Sequence, residues 1–178
     1  MTAALRLFSE QGYDKTTVAE IADGAGLTRS TFFRHFPDKR EVLAAGQETL
    51  ARLFTSGIAA APEGAAPLDA VEHGLEAAAA AMTPFNRELA PRLQAVLATS
   101  AELRERDQLK HVGLAASMAE ALRARGVPHA VAALAGDVGM LAFSEGFADW
   151  VRAENQDDLA ELVRSAMSRL RRAAAELG

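Results

Sequence analysis

Apolar residues recur at intervals of three and four along almost the whole chain, and they rarely alternate with polar ones. That spacing is helical and predicts an all-α fold without a sheet. A first helix carries Leu5, Leu7 and Phe8 and stops at Gly12, followed by the turn Tyr13-Asp14-Lys15. Thr16 or Thr17 caps a second helix that sets Val18, Ile21, Ala22 and Ala25 on one side, and Gly26 breaks it. Thr28 caps a third helix over Arg29–His35, which Pro37 ends because proline disfavours helical geometry in the residue before it. A fourth helix is expected from Asp38 through Leu43, Leu50, Leu53 and Phe54 to about Ile58. Residues 59–67, AAAPEGAAP, form the one low-complexity connector. Further helices are expected near 67–82, 85–99 with a break around Pro91, 101–125, 128–153 and 157–176. Pro67, Pro84, Pro91 and Pro128 each fall where a first-turn proline starts a helix, and Gly126 ends the helix before Pro128. This makes about nine helices: a three-helix domain over residues 1–46 and a helical bundle over 47–178.

Composition narrows the class. A chain of 178 residues holds one ordinary core, or a small module joined to a larger one. Apolar residues at 49% and charged residues at 24% are those of a soluble globular protein. No segment is expected to span a membrane, no secretory signal is read at the N-terminus, and there are no cysteines, so the cytoplasm is the expected compartment. The formal net charge is -5, yet residues 28–40 gather Arg29, Arg34, Lys39 and Arg40 against Asp38 alone. That patch can meet a polyanion that the rest of the chain would repel.

The same stretch has the architecture of a helix-turn-helix. Two short helices crossing at a large angle need a small residue on the first and a glycine in the turn, and Ala22 and Gly26 supply them. Ile21, Ala25, Leu27 and Phe32 are expected to plug the angle, while Arg29, Ser30, Thr31 and Arg34 point outward. An α-helix fits the major groove, where arginine reaches guanine bidentately and serine or threonine contacts several base edges. Arg29 is therefore the base-reading candidate, and Thr17, Thr28, His35 and Lys39 are candidates for phosphate contacts.

Residues 7–43, LFSEQGYDKTTVAEIADGAGLTRSTFFRHFPDKREVL, closely resemble the N-terminal domain of the TetR family of bacterial transcription regulators. Phe8, Gly12-Tyr13, Thr16-Thr17, Ile21-Ala22, Ala25-Gly26, His35-Phe36-Pro37 and Lys39 all fall at the family's spacings. The resemblance implies a homodimer that binds a palindromic operator on double-stranded DNA, usually as a repressor released by a small apolar or amphipathic molecule, in the cytoplasm at the nucleoid and without a membrane. Two departures stand out. Phe33 replaces the usual tyrosine, so a hydroxyl that commonly reaches a phosphate is missing, and the first helix begins almost at Met1, so no minor-groove arm is expected.

For the rest of the chain, residues 130–143 contain Asp137 as their only charge and need cover on nearly every side. The last helix sets apolar residues at i, i+3, i+4. Ala133, Gly136, Met140, Phe143, Leu159, Leu162, Val163, Ala166 and Leu170 are the expected dimer contacts. A ligand pocket is expected among Phe54, Met82, Phe85, Leu93, Val96, Leu97, Met118, Leu122 and Phe147. The alanine run 77–81 either packs helices closely or leaves room for a ligand. Residues 91–106, PRLQAVLATSAELRER, resemble regulators related to the mycofactocin-system regulator, some of which sense acyl-CoA thioesters. A ligand is expected to act by shifting the fourth helix and so the spacing of the recognition helices.

No enzyme, cofactor or metal is expected. Ser144 in AFSEG lies mid-helix, where a nucleophile elbow needs a strand-to-helix turn, and His35, His73, His111 and His129 lack metal-ligand spacing. The alternative function is a helical ligand-binding or protein-interaction module with weakened DNA binding, which Phe33 keeps open.

Overall fold

The computed structural model describes residues 2–44, 46–152 and 154–176. Among them are ten helices and no strand: α1 (Thr2–Gln11), α2 (Val18–Gly24), α3 (Arg29–His35), α4 (Glu41–Ala44), α5 (Gln47–Ala60), α6 (Pro67–Ala80), α7 (Pro84–Ala98), α8 (Ala101–Ala124), α9 (His129–Trp150) and α10 (Leu159–Glu176). The chain forms two compact units, Met1–Gly46 with Phe85–Leu109, and Gln47–Pro84 with Lys110–Gly178. Helix α8 thus begins in the first unit and continues into the second. The expected helix end at 153, and the expected lack of an arm before Met1, lie outside the described residues.

In the first unit, Ala4, Leu5 and Phe8 of α1 pack with Ile21 and Ala22 of α2, Phe32 of α3, and Val42 and Leu43 of α4. Leu89 and Val96 of α7 and Leu103 of α8 complete that core. Thr17, rather than Thr16, caps α2: its hydroxyl accepts the Glu20 N–H, and its own N–H donates to the Glu20 carboxylate. Thr16 is buried and donates to the Gly12 carbonyl at 2.8 Å. At the end of α2, Leu27 N–H reaches back to the Ala22 carbonyl at 2.8 Å and Gly26 N–H to that of Asp23 at 2.9 Å. This Schellman closure needs a left-handed residue, and Gly26 takes it at φ +67°.

Three expectations require correction here. Ala25 and Leu27 do not plug the angle between α2 and α3; both are exposed, because the closure swings them out and leaves Ile21 and Phe32 to fill it. The fourth helix is two, α4 and α5, since Gly46 at φ +93° leaves helical geometry between them. Helix α7 runs unbroken through Pro91, which sits on the exposed side, where water can satisfy the carbonyl it leaves unbonded.

The second unit is built on close backbone crossings. A Cβ at Gly57 would lie 2.7 Å from the Gly74 Cα, and one at Gly74 would lie 2.6 Å from the Phe54 carbonyl oxygen, so α5 and α6 meet backbone to backbone. Helix α9 repeats this on two neighbours, through Gly136 against Ala115 of α8 and Gly146 against Val163 of α10, while Gly139 makes room for the Val71 side chain of α6. Ala78 and Ala79 are buried, so the alanine run packs closely at these two positions. Ion pairs tie the rim, Arg171 to Asp69 at 2.7 Å and to Glu72 at 3.0 Å, and Arg169 to Glu145 at 3.0 Å.

The expectation that no segment is long and apolar enough to cross a bilayer fails for α9, whose 22 residues meet that test by length and composition. Much of its apolar surface faces protein instead: Ala132, Ala135, Gly136, Gly139, Met140, Ala142, Phe143 and Gly146 are all buried within the unit.

Gly74→Ala should destabilise the second unit by about 1–3 kcal/mol, because the added methyl must push two backbones apart. Gly113→Ala is the contrast: its Cβ would meet only the Gln47 Nε2 at an ordinary 3.5 Å, so relief of glycine's helix penalty should stabilise by about 0.5–1 kcal/mol. Urea denaturation followed by the fluorescence of Trp150, the single tryptophan, reads both.

Candidate nucleic-acid interface

Helix α3 has seven residues, RSTFFRH, and is anchored through one of them: Phe32 is buried and packs on Phe36 with ring centroids 5.5 Å apart. Thr28 caps it, accepting the Thr31 N–H at 3.1 Å and sharing a hydrogen bond with the Thr31 hydroxyl at 2.9 Å. With Phe32 turned inward, Arg29, Ser30, Phe33, Arg34 and His35 are exposed and Thr31 is half-buried. The helix carries no carboxylate. Arg29, Arg34 and His35 enter none of the salt bridges found among the described residues. This face offers cationic and hydroxyl donors that the protein does not spend on itself.

Lys39 behaves differently from the expected phosphate contact. Its ammonium donates to the carbonyls of Tyr13 at 2.7 Å, Thr16 at 3.1 Å and Asp14 at 3.3 Å, and stands 4.4 Å from the centre of the Tyr13 ring. An ammonium has three hydrogens, and three carbonyls take them. Lys39 is therefore a strut that fastens the α1–α2 turn to the segment after α3. Arg40 is committed too, its Nε donating to Asp38 at 2.9 Å and its Nη1 lying 3.5 Å from Glu102 of α8. Arg106 of α8 reaches Glu41 of α4 at 2.7 Å.

The sequence reading missed Glu20. Its carboxylate takes the Thr17 N–H at 2.7 Å and the Thr17 hydroxyl at 2.8 Å, so Thr17 holds a carboxylate where a phosphate contact was expected. The Thr-x-x-Glu capping signature, TVAE, was there to be read. These bonds from Thr17, first the backbone N–H and then the hydroxyl, hold the Glu20 carboxyl below the usual range. Asp38 is also held low, chiefly by the hydrogen bond from the Arg40 guanidinium. Burial pushes the Tyr13 phenol up, and its hydroxyl has no hydrogen-bond partner.

The ligand candidates do not gather into one cluster. Phe54, Met118 and Leu122 are buried in the core of the second unit with Met82 and Phe147 against it, while Val96, Leu93 and Leu97 belong to the core of the first, and Phe85 is 52% exposed. The expected dimer contacts also need correction. Gly136, Met140, Phe143, Leu159, Val163 and Ala166 are buried in the unit's own core, Leu162 and Leu170 pack against it, and Ala133 is half-buried. The outward apolar stripe of α9 is Val131, Leu134 and Leu141, 45%, 65% and 49% exposed, with Val138 half-buried between them. The glycines of α9 face inward at the helix crossings, with Met140, Phe143 and Trp150 beside them, and the leucines lie outside. Ser144 lies inside α9, away from any strand-to-helix turn, and no cluster of three metal-ligating side chains occurs among the described residues.

Lys39→Met keeps the aliphatic stem and removes the three donors; it should cost the first unit about 1–3 kcal/mol, whereas Arg29→Ala should leave stability unchanged. Stability should also fall at both ends of the pH scale. Glu20 and Asp38, depressed in the folded state, contribute fully above their unfolded pKa of about 4 and lose that contribution as pH falls through the depressed values. Tyr13 ionises more readily unfolded, so its contribution to stability declines as pH rises past about 10, and Tyr13→Phe should make the alkaline decline shallower. Tyr13 is the single tyrosine, so phenol absorbance reports the first unit alone.

Comparison with known proteins agrees with this geometry. Residues 1–45 match the family described as bacterial regulatory proteins, tetR family. The HTH-type transcriptional regulator TcmR of Streptomyces glaucescens is 38% identical over 74 residues, 42% of this chain and 33% of TcmR. AcrR of Shigella flexneri is 46% identical over 44 residues, 25% of this chain and 20% of AcrR. The chain thus spans a third or less of the length of these curated relatives. Over nearly the whole chain, the fold is similar to Thermus thermophilus FadR, a TetR-family repressor solved with lauroyl-CoA, at a TM-score of 0.58 and 27% identity, covering 95% of this chain and 90% of FadR. A TetR-family regulator from Mesorhizobium loti shares the fold at a TM-score of 0.54 and 21% identity, covering 98% and 92% of the two chains. In sequence the helix-turn-helix is similar to the tetR family over residues 1–45, and the helical fold is similar to that of TetR-family regulators over nearly the whole chain.

Proposed function

We propose that this protein is a transcriptional regulator, a repressor that binds a palindromic operator as a homodimer and leaves it when a small apolar or amphipathic molecule binds. The observation that carries this reading is the outward face of α3, where Arg29, Ser30 and Arg34 are exposed while Lys39 and Arg40, the other cations of the stretch, are tied up within the unit. Arg29 reads bases; Ser30, Thr31, Arg34 and His35 contact neighbouring edges and phosphates. Thr17, Thr28 and Lys39 act indirectly, by holding the ends of α2 and α3 in place.

The second copy docks along Val131, Leu134, Val138 and Leu141 of α9. The spacing of three, four and three keeps them on one stripe, and a partner's stripe covers what is otherwise exposed apolar surface. Two recognition helices then stand about 34–36 Å apart, one turn of duplex. For the effector we favour a fatty acyl thioester, on the likeness to FadR, which was solved with lauroyl-CoA, and on the pattern of residues 91–106. The signal travels through α8, which packs on the recognition helices' core at Leu103 and continues into the second unit. The protein works in the cytoplasm, on the nucleoid, without catalysis.

Selection from a random duplex library should recover an inverted repeat, with affinity that falls steeply as salt rises. Arg29→Ala should relax preference at one base pair of each half-site by about 1–3 kcal/mol. Leu134→Glu with Leu141→Glu should give a monomer in sedimentation and lose operator affinity. Lauroyl-CoA should bind free protein more tightly than operator-bound protein; equal affinity would remove the release mechanism. Binding indifferent to both salt and sequence would favour the alternative, a helical interaction module.

A further inference from the structure

Phe33 stands in the middle of the exposed face of α3, 52% exposed, on a ring that meets buried Phe32 edge-on with centroids 5.6 Å apart. Arg29 precedes it by four residues and Ser30 by three, so all three share one side of the helix. The side chain has no hydroxyl and cannot donate to a phosphate. A large ring left in water among guanidinium groups gains nothing, and its backing by Phe32 holds it in place. The base edges of the major groove offer one apolar feature, the C5-methyl of thymine.

We propose that Phe33 is a specificity-determining residue that reads thymine, its ring packing on the C5-methyl of a base pair close to the one contacted by Arg29. This rests on the regulator reading above. The apolar surface of a thymine methyl is removed from water on the phenylalanine ring, a contact that depends on sequence, whereas the phosphate contact of a tyrosine at this position would not. The ring would make α3 a mixed reader: one polar contact to a purine edge, one apolar contact to a pyrimidine.

The test uses the full-length protein and the operator recovered by selection. Each thymine of a half-site, with its symmetry mate, is replaced in turn by uracil, which pairs identically but lacks the methyl, and affinity is measured by fluorescence anisotropy. The expected result is one position per half-site where loss of the methyl weakens binding about three- to fivefold per contact. Phe33→Ala should bind thymine and uracil duplexes equally at that position, and Phe33→Leu, still apolar, should keep part of the discrimination. Circular dichroism of both variants checks that the exposed site leaves the fold unchanged. If every uracil duplex binds the unmodified protein as tightly as the thymine parent, or if Phe33→Ala still distinguishes them, the inference is overturned while the regulator reading stands. A uniform loss of affinity in Phe33→Ala without methyl sensitivity would assign the ring to the sugar backbone and also overturn it. Failure to recover any duplex would instead overturn the regulator reading itself.

Discussion

A domain of about 45 residues exposes too much of its surface to hold a core by itself without help. The first unit meets this constraint by enlisting a segment from far along the chain: Leu89 and Val96 of α7 and Leu103 of α8 close the core that Leu5, Phe8, Ile21 and Phe32 begin. The ion pairs Arg40–Glu102 and Arg106–Glu41 fix the same junction from its rim. Being half-exposed, they add little stability and act mainly to set register. The helix that completes this core, α8, also runs past the boundary between the two units.

Charge within the recognition stretch is divided by the same economy of surface. Lys39 is consumed by three carbonyls and a tyrosine ring, and Arg40 by Asp38 and Glu102, which makes the ends of α2 and α3 rigid. Thr17 and Glu20 satisfy each other at the start of α2. What remains unspent is gathered on α3. A basic count over residues 28–40 therefore overstates the charge left uncommitted, which among the described residues of that stretch is Arg29, Arg34 and His35.

The parts legible in the sequence are those set by local rules. Thr28 and Pro37 bracket α3 to the residue, and Gly26 marks the closure after α2, since caps and left-handed turns depend on the residues immediately around them. The illegible parts depend on distant partners. Pro91 looks like a helix start, and only its exposed placement within α7 explains how the helix passes through it. Residues 85–109 read as part of the larger domain because nothing local reveals which core they join. Helix α9 is apolar on nearly every side, so periodicity cannot tell its inner arc from its outer one. The usable signal was the glycines: Gly136 and Gly146 mark the arc that touches other backbones, and Leu134 and Leu141 lie on the arc that does not.

Those crossings also limit where the second unit can yield. With a Cβ at Gly57, Gly74, Gly136 or Gly146 placed under 3 Å from an opposing backbone atom, α5 is seated on α6, and α9 on α8 and α10, at the closest approach helices allow. Prying any of these apart would forfeit dense contact along both helices, so a ligand has little to gain by entering there. Helix α7 is held by no such crossing, contains no glycine, and carries Pro91 with one backbone hydrogen bond fewer. The least constrained of these helices by backbone packing is thus the one whose Leu89 and Val96 close the core under α2 and α3.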